Sequence, residues 1–455
     1  QVGTKHVLLL QITTKENNME TVQKEDLDRL LTSMLDSAEG ISDLLFVANR
    51  HPLVEAHGRL QKFGDAPLAS ARIEGLAKAI MNGNPRLVED LANRGSCDCS
   101  YAYSDAHRFR VNIYRQNGNH AMVLRRLASK IPSMEDLKLA PVFKEVIKEK
   151  NGLIFVTGGT GSGKTTTLAA MLNEVNLTHP CHIVTLEDPI EFLHPHLEAT
   201  FSQREMGRDY YNFPDGMRAA LRQAPKIIMV GEIRDRETME IALTAGETGH
   251  VVFSTMHTIS AGQTINRILG IFSKDEEQQV RERLAGCLRY IISQRLVPRE
   301  GGGRMLATEL MGSSLRTREA ILMGENESRR LSDIIEAGST MGWHSFEQSL
   351  LKAFERNQIT EETALLYCVN KPTMRQRIDA AKKSADTPSF ASLKMREEEK
   401  KEALKPKPPV PAMPTMPASG TPAPAMPVPT MAAKTPAPSM PVPTMPKSEP
   451  VKTPA

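Results

Sequence analysis

The chain has 455 residues, long enough for two domains with cores of their own. Its 57 Lys and Arg against 54 Asp and Glu give a net charge of +3, and aromatics are only 5% of it, so neither a nucleic-acid binder nor an acidic-tail protein is indicated. No apolar run approaches the roughly 20 residues that span a bilayer, and the patch in "QVGTKHVLLL" is too short for a signal peptide; the sequence reads as cytosolic.

The chain starts at Gln1, whereas Met19 opens "METVQKEDLDRLLTSML", which reads as a helix start. Residues 1–18 are therefore expected to be an upstream or non-native leader; an intact mass of native protein that includes Gln1 would remove that expectation. From about 20 to 36, Leu27, Leu30, Leu31, Met34 and Leu35 recur at helical spacing. "SDLLFVA" reads as a strand, "RIEGLAKAIM" as a helix, and "HRFRVNIYRQNG" as a strand ending in the turn signal Asn117-Gly118. These elements make a mixed α+β domain over 19–127. Residues 128–140, with two prolines close by, read as a linker.

Five cysteines are scattered, at 97, 99, 181, 287 and 368, with no C-x-x-C pair, as reduced thiols would be. Cys97-x-Cys99 could hold a metal only with a second pair nearby. Lacking one, the two read as surface-loop residues.

Residues 141–375 alternate apolar strand runs with helical patterns, the signature of a largely parallel sheet covered by helices. The strands are expected at Leu153–Thr157, His182–Leu186, Ile227–Val230 and His250–Ser254. "GGTGSGKT", Gly158 to Thr165, fits the phosphate-loop pattern and sits between the first strand and a helix. Gly158, Gly159, Thr160, Gly161, Ser162 and Gly163 are expected to turn backbone N–H groups toward phosphates. Lys164 would contact the β/γ-phosphates, Thr165 would hold Mg²⁺ through its hydroxyl, and Thr166 would continue the site into the helix. ATP and Mg²⁺ are thus the expected ligands.

"KIIMVGEIRDRE" places Glu232 just past a buried strand, where phosphate-loop enzymes keep an acid for Mg²⁺. The competing reading is an ion pair with Arg234 or Arg236. "LEDPIEF" puts Glu187, Asp188 and Glu191 at another strand's end, where one of them could polarise the attacking water. "ETGHVVFSTMHT" brackets a strand with His250 and His257, candidates for γ-phosphate sensing or a relay between subunits.

After about 375 the chain turns charged ("LKMREEEKKEALKPK") and then Pro-, Ala- and Met-rich, with "TPAPAMPVPTM" recurring as "TPAPSMPVPTM". Proline at this density favours extended, unpaired backbone. Residues 376–455 are therefore expected to be a disordered tail, or alternatively a docking segment.

In their order, "GGTGSGKTTT", "TLEDPIEF", "QREMG", "LRQAPKIIMVGEIRDRET" and "AGETGHVVFSTMHT" resemble the Walker A, Asp, Walker B and His boxes of the type II/IV secretion ATPase superfamily. "RFRVNIYRQNGNHAMVLRRLASKIPSMEDL" and "MGWHSFEQSLLKAFERNQIT" are similar to the type IV pilus retraction (twitching-motility) branch, the PilT/PilU family. "MVLRRL", "RDRETM" and "LEDPIEFLHPHLEATFSQRE" resemble its accessory PilU type. The resemblance covers about 36–370.

It implies a homo-hexamer of subunits with a PAS-like N-terminal domain and a RecA-like ATPase domain carrying C-terminal helices. Such a ring would be cytoplasmic and docked at the inner-membrane base of the pilus, on a platform protein and beside a main retraction ATPase. It implies further that Glu191 activates water and that N-terminal-domain arginines complete a neighbour's site, with Arg110 and Arg125 the candidates and Arg108 close behind.

The chain departs from the family at Lys226, where an Asp usually follows the proline, and in its tail. An extension or type II secretion ATPase is disfavoured by the missing tetracysteine motif. A nucleotide-binding accessory subunit with little turnover remains an alternative.

Overall fold

The structure, a computed structural model, describes residues 22–104 and 106–386. The expected leader and the charged and Pro-rich part of the tail beyond 386 lie outside the described residues.

The first domain is a PAS-like α+β unit. Helix α1 (Lys24–Leu35) begins five residues later than Met19 suggested, and it buries Leu27, Leu31, Met34 and Leu35. Strands β1 (Ile41–Val47), β2 (Leu53–Ala56) and β3 (Arg59–Lys62) follow, and then helices α2 (Ser70–Met81) and α3 (Pro85–Arg94). The sequence reading missed α3. Its ends are nonetheless marked: Asn84 accepts the Arg86 N–H, Pro85 stands in the first turn, and Gly95 closes the helix at φ +77°. Strands β4 (Ser96–Ser104), β5 (His107–Gln116) and β6 (Asn119–Arg126) complete an antiparallel sheet of order β3-β2-β1-β6-β5-β4. β5 and β6 are joined at Asn117-Gly118, both at positive φ, as a two-residue hairpin turn requires.

Alternation sorts the two faces of this sheet. Phe109, Val111 and Ile113 of β5 are buried under the helices, while Arg108, Arg110 and Asn112 project the other way. The cysteine expectation is corrected here. Cys97 and Cys99 lie on strand β4, two residues apart, and pack against the domain core. Burial raises both thiols, Cys97 to about 11 and Cys99 to about 12.

Residues 128–140 do more than link. Met134 is buried in the second domain's core, and Leu137, Leu139 and Ala140 pack against it, ahead of the one-turn helix α4 (Phe143–Val146).

The second domain is RecA-like. In chain order it contains β7 (Gly152–Gly158), α5 (Lys164–Thr178), β8 (His182–Glu187), β9 (Thr200–Glu205), α6 (Phe213–Ala220), β10 (Ile227–Val230), α7 (Arg236–Glu247), β11 (Val251–Met256), α8 (Ala261–Leu269), α9 (Glu277–Cys287), β12 (Leu288–Pro298) and β13 (Arg304–Gly312). The sheet runs β13-β12-β7-β11-β10-β8-β9, parallel throughout except for β13 at one edge. β7, β10 and β11 are buried at every position, which is why they read as continuous apolar runs. β9 and β12 carry polar residues between apolar ones and were not anticipated.

Helices α10 (Leu315–Met323) and α11 (Leu331–Ala337) pack on this core. Helices α12 (Phe346–Glu355), α13 (Glu361–Tyr367) and α14 (Lys371–Asp386) form a smaller core with Val297 and Ala307 of the β12–β13 ribbon.

One buried acid gives a test of this packing. Glu309 on β13 accepts the Ala261 N–H at 2.8 Å, at the start of α8. Burial, with a smaller push from Glu347, raises its carboxyl to about 7. The folded chain therefore binds this proton more tightly than the unfolded chain. The resulting stabilisation is complete below about pH 4.5 and is lost as pH rises through about 7. Glu309→Gln keeps the acceptor and removes the charge. Its melting temperature should gain on the wild type as pH goes from 5 to 8, and a gap that stays constant would count against the buried acid.

Candidate functional site

The parallel strands bring the predicted boxes together at their carboxyl ends. Gly158 closes β7 at φ +148°, where a Cβ would lie 2.5 Å from both the Gln294 carbonyl oxygen and Ser162 Oγ; only glycine fits. Gly163 caps α5 at φ +89°, so the loop from Gly158 to Gly163 curls over the helix N-terminus. There the unpaired N–H groups and the helix dipole favour an anion. Lys164 is 8% exposed, and its Nζ donates to the carbonyls of Gly158 and Gly159, at 3.0 Å each. Burial lowers its ammonium, while the charges of Glu232 and Glu191 oppose that shift. Among the described residues Ser162 Oγ is buried without a partner, an orphaned polar atom inside the cradle. The next turn of the helix is fixed by Gln294 on β12, whose Nε2 donates to Thr167 Oγ1 at 2.7 Å.

Glu232 lies one residue past Gly231 at the end of β10. Its two carboxylate oxygens have different surroundings. Oε1 pairs with Arg234, whose side chain is 74% exposed, so that pair is a weak competitor in water. Oε2 is buried and makes no hydrogen bond among the described residues; His257 Nε2 stands 3.4 Å away, within ion-pair range but without bonding geometry. Arg236 is not a partner of Glu232, since it pairs with Glu240 and Glu276. A buried, unbonded carboxylate oxygen facing a phosphate loop suits a divalent cation. The half-buried Thr165 hydroxyl, which no protein group engages among the described residues, is the second ligand this loop can offer.

The three carboxylates of the Asp box have different surroundings. Glu187 ends β8 and is 5% exposed. It accepts from Thr185 Oγ1 at 2.7 Å, Gln203 Nε2 at 3.2 Å and the Glu191 N–H at 3.3 Å. Burial raises it to about 7 against those bonds. Asp188 is also raised by burial, with Arg110 the strongest influence opposing that shift. The Glu191 carboxylate accepts no hydrogen bond among the described residues, and its charge acts on Lys164. Glu187 thus shapes the loop; Glu191 and Asp188 both keep carboxylates without hydrogen bonds among the described residues, and of the two it is Glu191 whose charge acts on Lys164.

The loop carrying Glu191 is gripped from two sides. On β9, Gln203 bonds Glu187 and the Phe192 carbonyl, and Glu205 accepts the Ile190 N–H at 3.3 Å and the Ser100 hydroxyl at 2.6 Å. From the first domain Arg108, 8% exposed, donates to the carbonyls of Ile190 at 2.7 Å and Glu191 at 3.2 Å. "QREMG" was recognised as a box but given no task. The missed signal was its period-2 pair Gln203 and Glu205 on a strand beside β8.

One expectation is corrected. His250 precedes β11, and its carbonyl bonds the Gly152 N–H at the opposite end of β7 from Gly158. It therefore cannot sense a γ-phosphate in its own subunit; His257 is the histidine the fold brings to Glu232. Arg125 lies opposite Arg110 across β5–β6 and pairs with Asp43 at 2.9 Å inside its own domain. Of the arginines, Arg108 reaches the Asp-box loop directly and Arg110 stands near Asp188.

The grip makes a prediction. Arg108→Lys keeps the charge but cannot hold both carbonyls, so kcat should fall about tenfold. KM for ATP should stay near wild type, since no phosphate contact is touched. A raised KM with normal kcat would show that Arg108 acts on nucleotide binding instead.

The family model of "Type II/IV secretion system protein" matches residues 101–341. The chain is 39% identical over 339 residues to a Pseudomonas aeruginosa protein described as "Type IV pilus retractation ATPase PilT", covering 74% of this chain and 97% of that one. It is 34% identical over 369 residues to "Type IV pilus ATPase PilU" of the same organism, covering 81% of this chain and 95% of that one. The crystal structure of the pilus retraction motor PilT with bound ADP superposes with a TM-score of 0.69 at 37% identity, covering 76% of this chain and 98% of that one.

Proposed function

This chain belongs to the family of type II/IV secretion system proteins, and from that premise we propose that it is a motor whose ATP hydrolysis drives retraction of type IV pili. The chain is an ATPase of that family, and the observation that carries the assignment of its site is the free Glu191 and half-free Glu232 flanking Lys164 at one sheet edge. Lys164 with the backbone from Gly158 to Gly163 would hold the phosphates, and Thr166 would extend the site into α5. Thr165 and Glu232 would hold Mg²⁺, which supplies charge neutralisation on the phosphates when bound. Glu191 takes a proton from the attacking water, and His257, beside Glu232, would sense the γ-phosphate. Glu187 fixes the loop, and Asp188 stands beside Arg110.

The finer reading is a homo-hexameric, accessory PilU-type motor, working beside a main retraction ATPase on a platform protein at the inner-membrane base of the pilus. The PilU-type motifs support it, and so does an N-terminal domain over 19–127 that presents Arg110 and Arg125 on an open face for a neighbour's site. In that ring His250, at the far sheet edge, is free to serve contacts between subunits. Lys226 stands with His250 at that far edge, bonded through its backbone to His182 and Val251, so its departure from the family pattern leaves the site intact.

The test is made in the native host. Exchange for Lys164→Ala should reduce twitching and leave pili extended; unchanged retraction would refute the motor reading. Loss that appears only when the main retraction ATPase is weakened would mark the accessory role.

A further inference from the structure

A second concave feature lies outside the nucleotide site, where the linker, the β12–β13 ribbon and α12 meet. The cavity is about 750 Å³, and Leu139, Val142, Leu296 and Leu306 supply its apolar lining. Its rim carries Lys138, Arg299, Arg304, Lys352 and Arg356, and a single carboxylate, Asp136. None of these five cations has an ion pair or side-chain hydrogen bond among the described residues, whereas most other arginines of the domain do. Asp136, whose carboxylate accepts the Ser133 N–H at 3.0 Å, offsets one charge of the five.

The cations sit on fixed elements. Lys138 is held at φ +54° beside the buried Met134, whose carbonyl accepts the Leu139 N–H at 3.0 Å. Arg299 and Arg304 flank the turn of the β12–β13 ribbon, where the Arg299 N–H bonds the Gly303 carbonyl at 3.1 Å. Lys352 lies on α12 and Arg356 caps its end. The wall behind them is tied by Thr308, through His344 Nε2 at 2.7 Å and Ser349 Oγ at 3.2 Å.

We propose that this groove docks an acidic peptide segment of a partner protein, with apolar side chains on the leucine floor and carboxylates on the five-cation rim. Charge complementarity selects the occupant: a chain of net charge +3 concentrates five unpaired cations around one slot. The slot is concave and apolar at its base, which suits side-chain anchors better than a flat lipid surface. It offers no exposed ring for a base to stack on, since Phe143 in its wall is 1% exposed. Because the linker forms one wall, a bound segment would touch the connection between the two domains. The proposal does not depend on how Glu191 or Lys164 act.

The test uses the full chain and fluorescein-labelled 16-residue peptides of Glu-Leu, Glu-Ser and Lys-Leu repeats, with anisotropy as readout. The Glu-Leu peptide should bind at least tenfold more tightly than either control and weaken with salt. Arg299→Glu with Arg304→Glu, and separately Lys352→Glu, should each cost tenfold or more while ATP turnover stays at the wild-type rate. Equal binding of the Glu-Leu and Glu-Ser peptides, or no loss in the charge-reversed chains, would overturn the proposal. Two further outcomes would reassign the groove and so overturn it: loss of binding to phosphatidylglycerol vesicles with peptide binding unchanged, and a reduced oligomeric mass of the charge-reversed chain. The first points to lipid, the second to another copy of this chain.

Discussion

Lys164→Ala should abolish ATP turnover, by a factor of at least about 10³, and weaken nucleotide binding to the same degree. Among the described residues Lys164 is the one ammonium inside the cradle, bonded to the Gly158 and Gly159 carbonyls that flank the loop's first turn. Alanine removes that charge and frees two carbonyls. It does not touch the sheet, so the fold should survive. Titration with a fluorescent ATP analogue, together with a melting curve, separates loss of binding from loss of structure. Normal binding by a folded variant would refute the phosphate-loop assignment.

Glu191→Gln should behave differently: ATP should be retained while kcat drops by about 10² to 10⁴, the usual contribution of a general base. Three features single out this residue. Its carboxylate is free of protein hydrogen bonds, its charge is felt at Lys164, and its backbone is held by Arg108 and Glu187. Glutamine has the same shape and cannot take a proton. If the variant instead cycles at the wild-type rate, the base lies elsewhere. Glu187 is a poor replacement, because one of its oxygens already accepts two hydrogen bonds and the other accepts the Glu191 N–H.

Much of this site was legible in the sequence because continuous apolar runs mark buried parallel strands, and glycines mark the loop between strand and helix. Gly158 to Thr165, Glu232, Glu191 and His257 are therefore found together, as their strand-end positions implied. His250 was misplaced by the same logic applied too loosely: it flanks the same strand as His257, but parallel strands put its two ends at opposite edges of the sheet. The two levers on the Asp-box loop were harder to read. Arg108 and Arg110 sit two residues apart on one face of β5, and nothing in their spacing tells which meets the loop. That depends on how the first sheet packs against β8 and β9, a contact between segments some eighty residues apart. Strands β9 and β12 were missed for a related reason. Their polar residues serve the site, at Gln203, Glu205 and Gln294, and so break the apolar pattern by which strands are recognised.

The linker shows the same limit. Its prolines and charges suggest a free connection, yet Met134 is 3% exposed and anchors it to the ATPase core. The first domain is thus joined to the second through a fixed segment and through Arg108, so a rotation of that domain would be felt at Glu191.

The most direct test is ATP hydrolysis by the purified chain at its measured oligomeric mass, with Glu191→Gln alongside. Steady turnover by a hexamer, lost in the variant while ATP stays bound, is the predicted result. Wild-type turnover by Glu191→Gln, or ATP binding without turnover by the unaltered chain, would contradict it.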